Sequence, residues 1–437
     1  MTERLRSTVV FDDTNGLQRI PDHDYNRRRT VHLCFTRMPG ERGGTGYDVR
    51  AWGSAFPSDG DGCFRGWIAD VEVLTEGIAV VRETWQQHVI RHEHRGHGPD
   101  APSTVFPFVD EHTDSPIDCP HLDRIGLRLA RAGNHLFQLL FHNGDPGMKE
   151  IGEALLRHIR DGECIMTMES DHLFVPWNLL YTPPEGDDNQ GLLLDDSWSF
   201  PGFWGHQHLI EHTISRVRGF DSRIPVHDGP VGIGLNVDEG VDEEYPRTRF
   251  VAELHDIFDR CARETSIAVR RDKDELRHAF QSRSYDDHIS CFGCHGQVSP
   301  NGGTTGSYFK LGDGEEIYGS EMASWLSREE PMPGRPLVFV GACEGGQLSS
   351  VFYPTAGHHL LRNGARCLLG PQIDLPRAFA REYAARLFSA FLDEGARLGD
   401  SVRELARYFA DEEGNPLGLI FTLHRGLDVH LWPQEPV

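Results

Sequence analysis

The sequence predicts an α/β protein with a mostly parallel central sheet, preceded by a small β-rich N-terminal module. Two observations predict the main domain. From Pro230 onward, short apolar runs alternate with amphipathic helical stretches, the βαβ rhythm of a parallel sheet. Two of those runs stop abruptly at glycine beside a reactive side chain, in Cys291-Phe-Gly-Cys-His-Gly296 and in Leu337-Val-Phe-Val-Gly-Ala-Cys-Glu-Gly-Gly346. Parallel strands deliver their chemistry where they end, so one sheet edge can present His295 and Cys343 together. A third observation predicts the module: before residue 95, β-formers cluster between glycine-rich breaks.

A length of 437 residues allows two or three domains and a real core. Hydrophobic residues at 38% and charged residues at 25% describe a soluble globular protein, and a net charge of −24 argues against bulk binding to nucleic acid or anionic membrane. The opening Met-Thr-Glu-Arg-Leu-Arg-Ser lacks the apolar core of a signal peptide, and no run reaches the ~18 apolar residues of a transmembrane helix. Nine cysteines, an odd number widely scattered, do not make a secreted disulfide framework. A reducing cytoplasm is the expected compartment, and it keeps a thiol nucleophile available.

Residues 1–28 are polar and charged, as in a frayed arm. Within 29–95, Val31 to Phe35, Tyr47 to Trp52 and Cys63 to Ile68 read as strands, and Val80 to Ile90 as a helix. Residues 96–121 hold Pro99, Pro102, Pro107, Pro116 and Pro120 among polar residues and read as a linker. The large domain follows over 122–437. In its first part, 122–228, Ile125, Leu129, Leu136, Leu139 and Leu140 recur at helical spacing, and Ile151, Leu155 and Ile159 mark a second helix. Cys164 to Met168 and Leu173 to Tyr181 read as a hairpin-like pair, and Pro183 to Gln190 as a polar loop.

The second part, 229–437, carries the rhythm. Strands are expected at Val231–Val237, Ile267–Val269, His288–Gly293, Leu337–Ala342 and Arg366–Gly370. Phe250, Leu254, Ile257 and Phe258 form the stripe of a helix packed on that sheet. Asp274 to Phe280 is another helix, and Gly357 to Asn363 a third, closed by Gly364. Phe379, Tyr383, Leu387 and Phe391 mark a long helix, and Ser401-Val-Arg-Glu404 is a capping-box pattern opening the next.

A thiol attacks a carbonyl as thiolate, and a neighbouring imidazole and a helix N-terminus both favour that form. Cys343 has sequence for both, since it ends an apolar strand and Glu344-Gly-Gly346 turns toward a helix. Backbone N–H groups of Gly296 and Cys343 are natural oxyanion donors. His295 would protonate the leaving amine. The same stretch, Cys291-Phe-Gly-Cys-His295, also matches the C-x-x-C-H haem attachment motif. Haem attachment needs export and a loop–helix junction, and zinc needs a second cysteine pair at zinc spacing. Strand alternation instead sends Cys291 and Cys294 to opposite faces, where core packing is expected. His92/His94/His97 and His206/His208/His212 have no carboxylate or cysteine frame for a metal and read as exposed loop histidines. Gly232-x-Gly234 lacks the third glycine of a dinucleotide site and reads as close strand packing.

A cysteine with a histidine about 50 residues upstream is the caspase-type spacing. Other features arrive in a matching order: Pro176-Trp-Asn-Leu-Leu-Tyr181, the Val231–Val237 strand with its helix, Tyr285-Asp286 leading to His295-Gly296, Val338 to Glu344, and Gly364-Ala365 leading to Leu369-Gly370. Asn415 to Leu419 and Gly426-Leu-Asp428 follow. From about Asp123 onward, the chain resembles a CHAT domain, a bacterial branch of the caspase-like, separase-related cysteine peptidases. The resemblance implies a caspase-like αβα sandwich, with 122–228 as N-terminal pseudo-subdomain and 229–437 as catalytic subdomain. It also implies a His295/Cys343 dyad cleaving a protein substrate after a selected P1 residue, and no cofactor.

The chain departs from the family at Trp177-Asn178, where Trp-Glu is usual, and at Gly370-Pro-Gln-Ile-Asp374, in place of a Trp-rich motif. An acidic residue just beyond that motif contacts a basic P1 side chain in separase-like relatives. Asp374 or Arg377 takes that place depending on register, and Asp374 is favoured. CHAT domains often follow helical repeats, whereas here a β-rich module precedes. The family context implies bacterial defence or regulated cell death, with a gasdermin-like pore-former or another effector as substrate. It also implies an activating partner that orders loops such as Gln297–Gly314. The alternative is a catalytically silent CHAT-fold scaffold that binds a protein partner.

Overall fold

The computed structural model describes residues 26–39, 44–56, 63–94, 104–109, 117, 119, 121–183, 197–214, 221–226, 229–244, 249–297, 308–326, 332–341 and 356–433. Strands β1 (Val31–Pro39), β2 (Thr45–Trp52) and β3 (Phe64–Ile68) form an antiparallel meander. Helix α1 (Val71–Trp85) is opened by Asp70, whose carboxylate accepts from the Val73 amide, and runs on into a π-turn over Gln86–Ile90. Helices α2 (Leu122–Phe141) and α3 (Pro146–Asp161) precede strand β4 (Ile165–Ser170). A short helix α4 (Trp204–Gln207) leads to β5 (Leu209–Thr213) and then β6 (Arg223–Val226).

The βαβ stretch follows as expected. It comprises β7 (Val231–Val237), α5 (Gly240–Glu244), α6 (Phe250–Arg260), β8 (Thr265–Arg270), α7 (Lys273–Gln281) and β9 (Ile289–Gly293). Strands β10 (His295–Gln297), β11 (Tyr308–Lys310) and β12 (Glu316–Tyr318) make a small antiparallel sheet, followed by α8 (Gly319–Trp325). Then come β13 (Leu337–Gly341), α9 (His358–Arg362), β14 (Cys367–Pro371) and α10 (Arg377–Phe388). Helix α11 (Leu398–Arg407), β15 (Phe421–His424) and β16 (His430–Pro433) end the described chain.

One 11-stranded sheet, ordered β3-β2-β1-β4-β5-β15-β14-β13-β9-β7-β8, organises the fold. Two parallel blocks, β1-β4-β5-β15 and β14-β13-β9-β7-β8, run in opposite directions and meet at the antiparallel β14/β15 junction. The C-terminal ends of β7, β9, β13 and β14 therefore share one edge. Alternation sorts their side chains. Ile289, Cys291, Leu337, Phe339, Cys367 and Leu369 face the core shared with α6 and α10. Phe292, Cys294, Val338, Val340 and Leu368 face a second core with α7, α8 and α9. This is the αβα arrangement with a mostly parallel sheet. The β-rich segment is hydrogen-bonded into it, since β1 pairs in parallel with β4 from Val31↔Met166 to Phe35↔Ser170.

Three local expectations change. The Leu173–Tyr181 stretch is not the second arm of a hairpin. Pro176 removes a ladder donor, and the chain makes a 3-10 turn at Trp177–Leu179, from which the Asn178 amide donates to the Phe421 carbonyl. Ser401 does not cap α11, which begins three residues earlier; its hydroxyl donates back to the Arg397 carbonyl at 3.2 Å. A serine four residues after a carbonyl in a helix has that option, so the S-x-x-E spacing alone was ambiguous. At the N-terminus, residues 1–25 and most of 96–121 lie outside the described residues, but Arg27 and Arg29 are anchored. Both reach the buried Asp428 carboxylate at 2.7 Å, and Arg29 also reaches Glu211 at 2.9 Å. Burial works against the Asp428 charge, yet the arginines outweigh it and hold this carboxyl below its ordinary range.

Candidate active site

The site begins with a single rung of the sheet. Val237 pairs with Gly293, and Gly293 pairs with Gly341. These are the last residues of β7, β9 and β13, so three strands stop at one level. Small residues suit that rung, because a Cβ on Gly341 would sit 2.7 Å from the Phe250 ring of α6. Beyond the rung, the Asp238 amide donates to the Gly293 carbonyl at 2.9 Å and tethers the two strand exits.

His295 follows as the first residue of β10, opposite Lys310 of β11. Its Nε2 lies 3.8 Å from Asp238 Oδ2, with the side chains 26% and 13% exposed, so the imidazole borders solvent while the carboxylate is nearly enclosed. The other carboxylate oxygen, Oδ1, accepts from the Gly240 amide at 2.9 Å, which fixes the orientation of Asp238. Gly296 is the second residue of β10, opposite Phe309. Cys343 lies outside the described residues, as do Ala342 and Glu344; β13 ends two positions before it.

A buried ion pair braces these strands. Arg270 at the end of β8 meets Asp287, just before β9, through two bonds of 2.7 and 2.8 Å, and also donates to Asn236 Oδ1 on β7 at 3.2 Å. Asn236 in turn donates to Ser290 Oγ and the Cys291 carbonyl, each at 3.0 Å. Gly234 is required here, since a Cβ would fall 1.8 Å from Asp287 Oδ2 and 2.4 Å from Arg270 Nη1. This is the close packing expected of Gly232-x-Gly234.

Five of the described cysteines are poor nucleophiles. Burial pushes the thiols of Cys164 and Cys367 up to about 12 and that of Cys261 up to about 11. It pushes Cys291 and Cys294 well above the ordinary thiol range. Cys291 and Cys294 also pack in different cores on opposite faces of the sheet, so they cannot hold one haem or one zinc together.

The two candidates for the substrate pocket lie past β14. Pro371 to Arg377 is a buried run interrupted only by Asp374, which is half-buried; Arg377, the first residue of α10, is 4% exposed. Asp374 Oδ2 accepts from Gln86 Nε2 at 2.9 Å, and the Asp374 amide donates to Gln86 Oε1 at 3.3 Å. One helical turn earlier, Arg82 donates to Gln372 Oε1 at 3.1 Å and to the Phe174 carbonyl at 3.0 Å. Burial pushes the Arg82 guanidinium down to about 10.

The second histidine cluster is not an exposed loop. His206, His208 and His212 are buried, because α4, β5 and the single residue joining them run through the interior. His206 pairs with Asp411 at 2.9 Å, His208 Nδ1 accepts from the Cys164 amide at 3.2 Å, and His212 meets His424 at 3.3 Å. In the first cluster, His92 and His94 are half-buried and His97 lies outside the described residues. Among the described residues, no group of three His, Cys, Asp or Glu side chains is placed to hold a metal, and no helix is long and apolar enough to cross a membrane.

Sequence reasoning missed Asp238, Gln86 and Arg82. Asp238 had a readable signal, as the first acidic residue after a buried strand. Gln86 and Arg82 had none, since their partners after β14 lie almost 300 residues downstream and the Phe174 carbonyl that Arg82 also meets lies 92 residues away.

No family model matches the chain. It is 28% identical, over 157 residues, to a protein described as a probable protease from Vitiosangium sp. (strain GDMCC 1.1324); the match takes in 34% of this chain and 20% of that protein. Two crystal structures of the Saccharomyces cerevisiae separase–securin complex align over 82% of this chain at 10% identity and a TM-score of 0.33, covering 22% and 23% of those chains. The chain thus spans about a fifth of the length of these relatives.

Proposed function

We propose that the chain is a caspase-like cysteine endopeptidase in which Cys343 is the nucleophile and His295 the general acid–base group. The shared rung Val237–Gly293–Gly341 supports this most directly. His295 stands two residues beyond Gly293, and Cys343 two residues beyond Gly341 in the sequence. Two peptide units reach at most about 7 Å, and neighbouring strands lie about 4.8 Å apart. That spacing is compatible with a meeting of the Cys343 thiol and the His295 imidazole at this edge. The similarity to a probable protease points the same way.

In the mechanism, the Cys343 thiolate adds to the scissile carbonyl carbon, and the N–H groups of Gly296 and Cys343 stabilise the oxyanion. His295 gives its proton to the leaving amine as the C–N bond breaks. Water, deprotonated by His295, then hydrolyses the thioester and restores the thiol. Asp238, 3.8 Å from His295 Nε2, acts as a positioning residue for the imidazole. Asp374 is assigned to the S1 pocket and a basic P1 residue, because it is the half-exposed member of an otherwise buried run. The family resemblance adds regulation by a partner or signal, in bacterial defence or regulated cell death.

The test is a P1-position peptide library run on wild type beside Cys343→Ala, with a thiol-directed activity probe. The expected result is cleavage and labelling in wild type and neither in the variant. Cleavage that survives Cys343→Ala would sink the mechanism. Failure to label Cys343 in every activated state would point to the silent scaffold.

A further inference from the structure

We infer that Gln86, on the helix donated by the N-terminal β-rich segment, is a specificity-determining residue that positions the Asp374 carboxylate for a basic P1 side chain. The inference rests on the peptidase reading and on the place of Asp374 in its S1 pocket, and it adds a role for a segment outside the expected catalytic subdomain.

The contact is reciprocal. The carboxamide of Gln86 donates to the Asp374 side chain and accepts from the Asp374 main chain, so one residue holds both the carboxylate and the local backbone. Gln86 is itself 8% exposed, so water cannot readily substitute for it. Arg82, on the same face one turn earlier, holds the neighbouring Gln372. One helix therefore grips two residues of the loop leaving β14. That loop lies at the sheet edge where β7, β9 and β13 also end.

The helix is shaped for this grip. At Gln86, α1 widens into a π-turn, a geometry that shifts side-chain direction along a helix and recurs at functional sites. The turn is held from below by Trp85 and Val89, which are fully buried. A neutral amide is also the suitable partner. It orients a carboxylate without cancelling the charge that a basic P1 group needs, as an arginine at position 86 would do.

The experiment compares wild type, Gln86→Met, Asp374→Asn and the double variant on peptides with arginine or alanine at P1. Gln86→Met keeps the side-chain length and removes both hydrogen bonds. It is expected to raise KM for the arginine peptide by about tenfold, the loss of one bond to a charged group, with kcat and the alanine peptide unchanged within about twofold. In the Asp374→Asn background it should have no further effect. Hydrogen exchange of the 371–377 amides should quicken in Gln86→Met, and this reads the grip whether or not the protein cleaves peptides.

An arginine-peptide KM unmoved by Gln86→Met but raised by Asp374→Asn would overturn the inference and leave the pocket standing. Equal losses on both peptides would reduce Gln86 to a packing residue. No effect of Asp374→Asn on the arginine peptide would remove the S1 assignment and the inference with it. Unchanged exchange in the 371–377 segment would refute the grip by itself.

Discussion

Replacing Asp287 by alanine is expected to cost more stability than any single change at the surface of this protein. Its side chain is 3% exposed and that of Arg270 is 11% exposed, so neither charge is rescued by bulk water. The pair is bidentate, at 2.7 and 2.8 Å. Burial works against the Arg270 charge, yet its bonds to Asp287 more than offset this and hold the guanidinium above its ordinary range. With Asp287 gone, that guanidinium keeps the Asn236 oxygen, the Tyr285 ring 5.6 Å away and a weaker attraction to Asp286, but loses its bidentate carboxylate partner. Removing one partner of such a pair typically costs about 3–5 kcal/mol, whereas replacing both with apolar residues is close to neutral. Urea denaturation of Asp287→Ala, Arg270→Met and the double variant Arg270→Met/Asp287→Ala gives the comparison. The double variant should be more stable than Asp287→Ala alone, a non-additivity expected only of groups in contact. A loss below about 1 kcal/mol for Asp287→Ala, or strict additivity, would refute the view that this pair braces the strands beneath His295.

Two further outcomes follow from other parts of the molecule. Asp238→Asn removes the carboxylate charge beside His295 while keeping its size; kcat should fall about ten- to a hundredfold with KM little changed, and an unaltered kcat would dismiss Asp238 as a positioning residue. Burial lowers His208 and His212 from 6.5 to about 3, so below pH 6.5 the unfolded chain takes up protons that the folded chain refuses. Stability attached to these groups is therefore full above pH 6.5 and drains as pH falls toward 3, by about 2 kcal/mol for each histidine at pH 5. Thermal melts from pH 7.5 to 4.5 on wild type beside His208→Gln should show a shallower acid slope in the variant, and identical slopes would contradict the burial argument.

The elements most legible in the sequence were those whose signal is local. The stripe Phe250, Leu254, Ile257 and Phe258 fixes α6 because a helix needs only its own periodicity to be recognised. The strand Leu337 to Val340 is an uninterrupted apolar run, as both faces of a central parallel strand are covered. Leu173–Tyr181 misled for the converse reason, since its apolar residues are buried by partners elsewhere and not by a hairpin. His206, His208 and His212 misled because polarity suggested a loop, while the burial of each is decided by distant groups such as Asp411 and His424.

By itself the sequence determined the βαβ order, the glycines at the ends of β9 and β13, and the positions of His295 and Cys343 two residues further along the chain. These are properties of contiguous residues, set by side-chain alternation and by the absence of a Cβ. Only the tertiary structure decided that Gly293 and Gly341 share a rung, that Asp238 faces His295, and that β1 extends the sheet beside β4. It alone brought Gln86 onto Asp374. Strand order and cross-chain hydrogen bonds join residues separated by up to several hundred positions, and no local pattern encodes which of many possible partners a half-buried strand or an amide will meet.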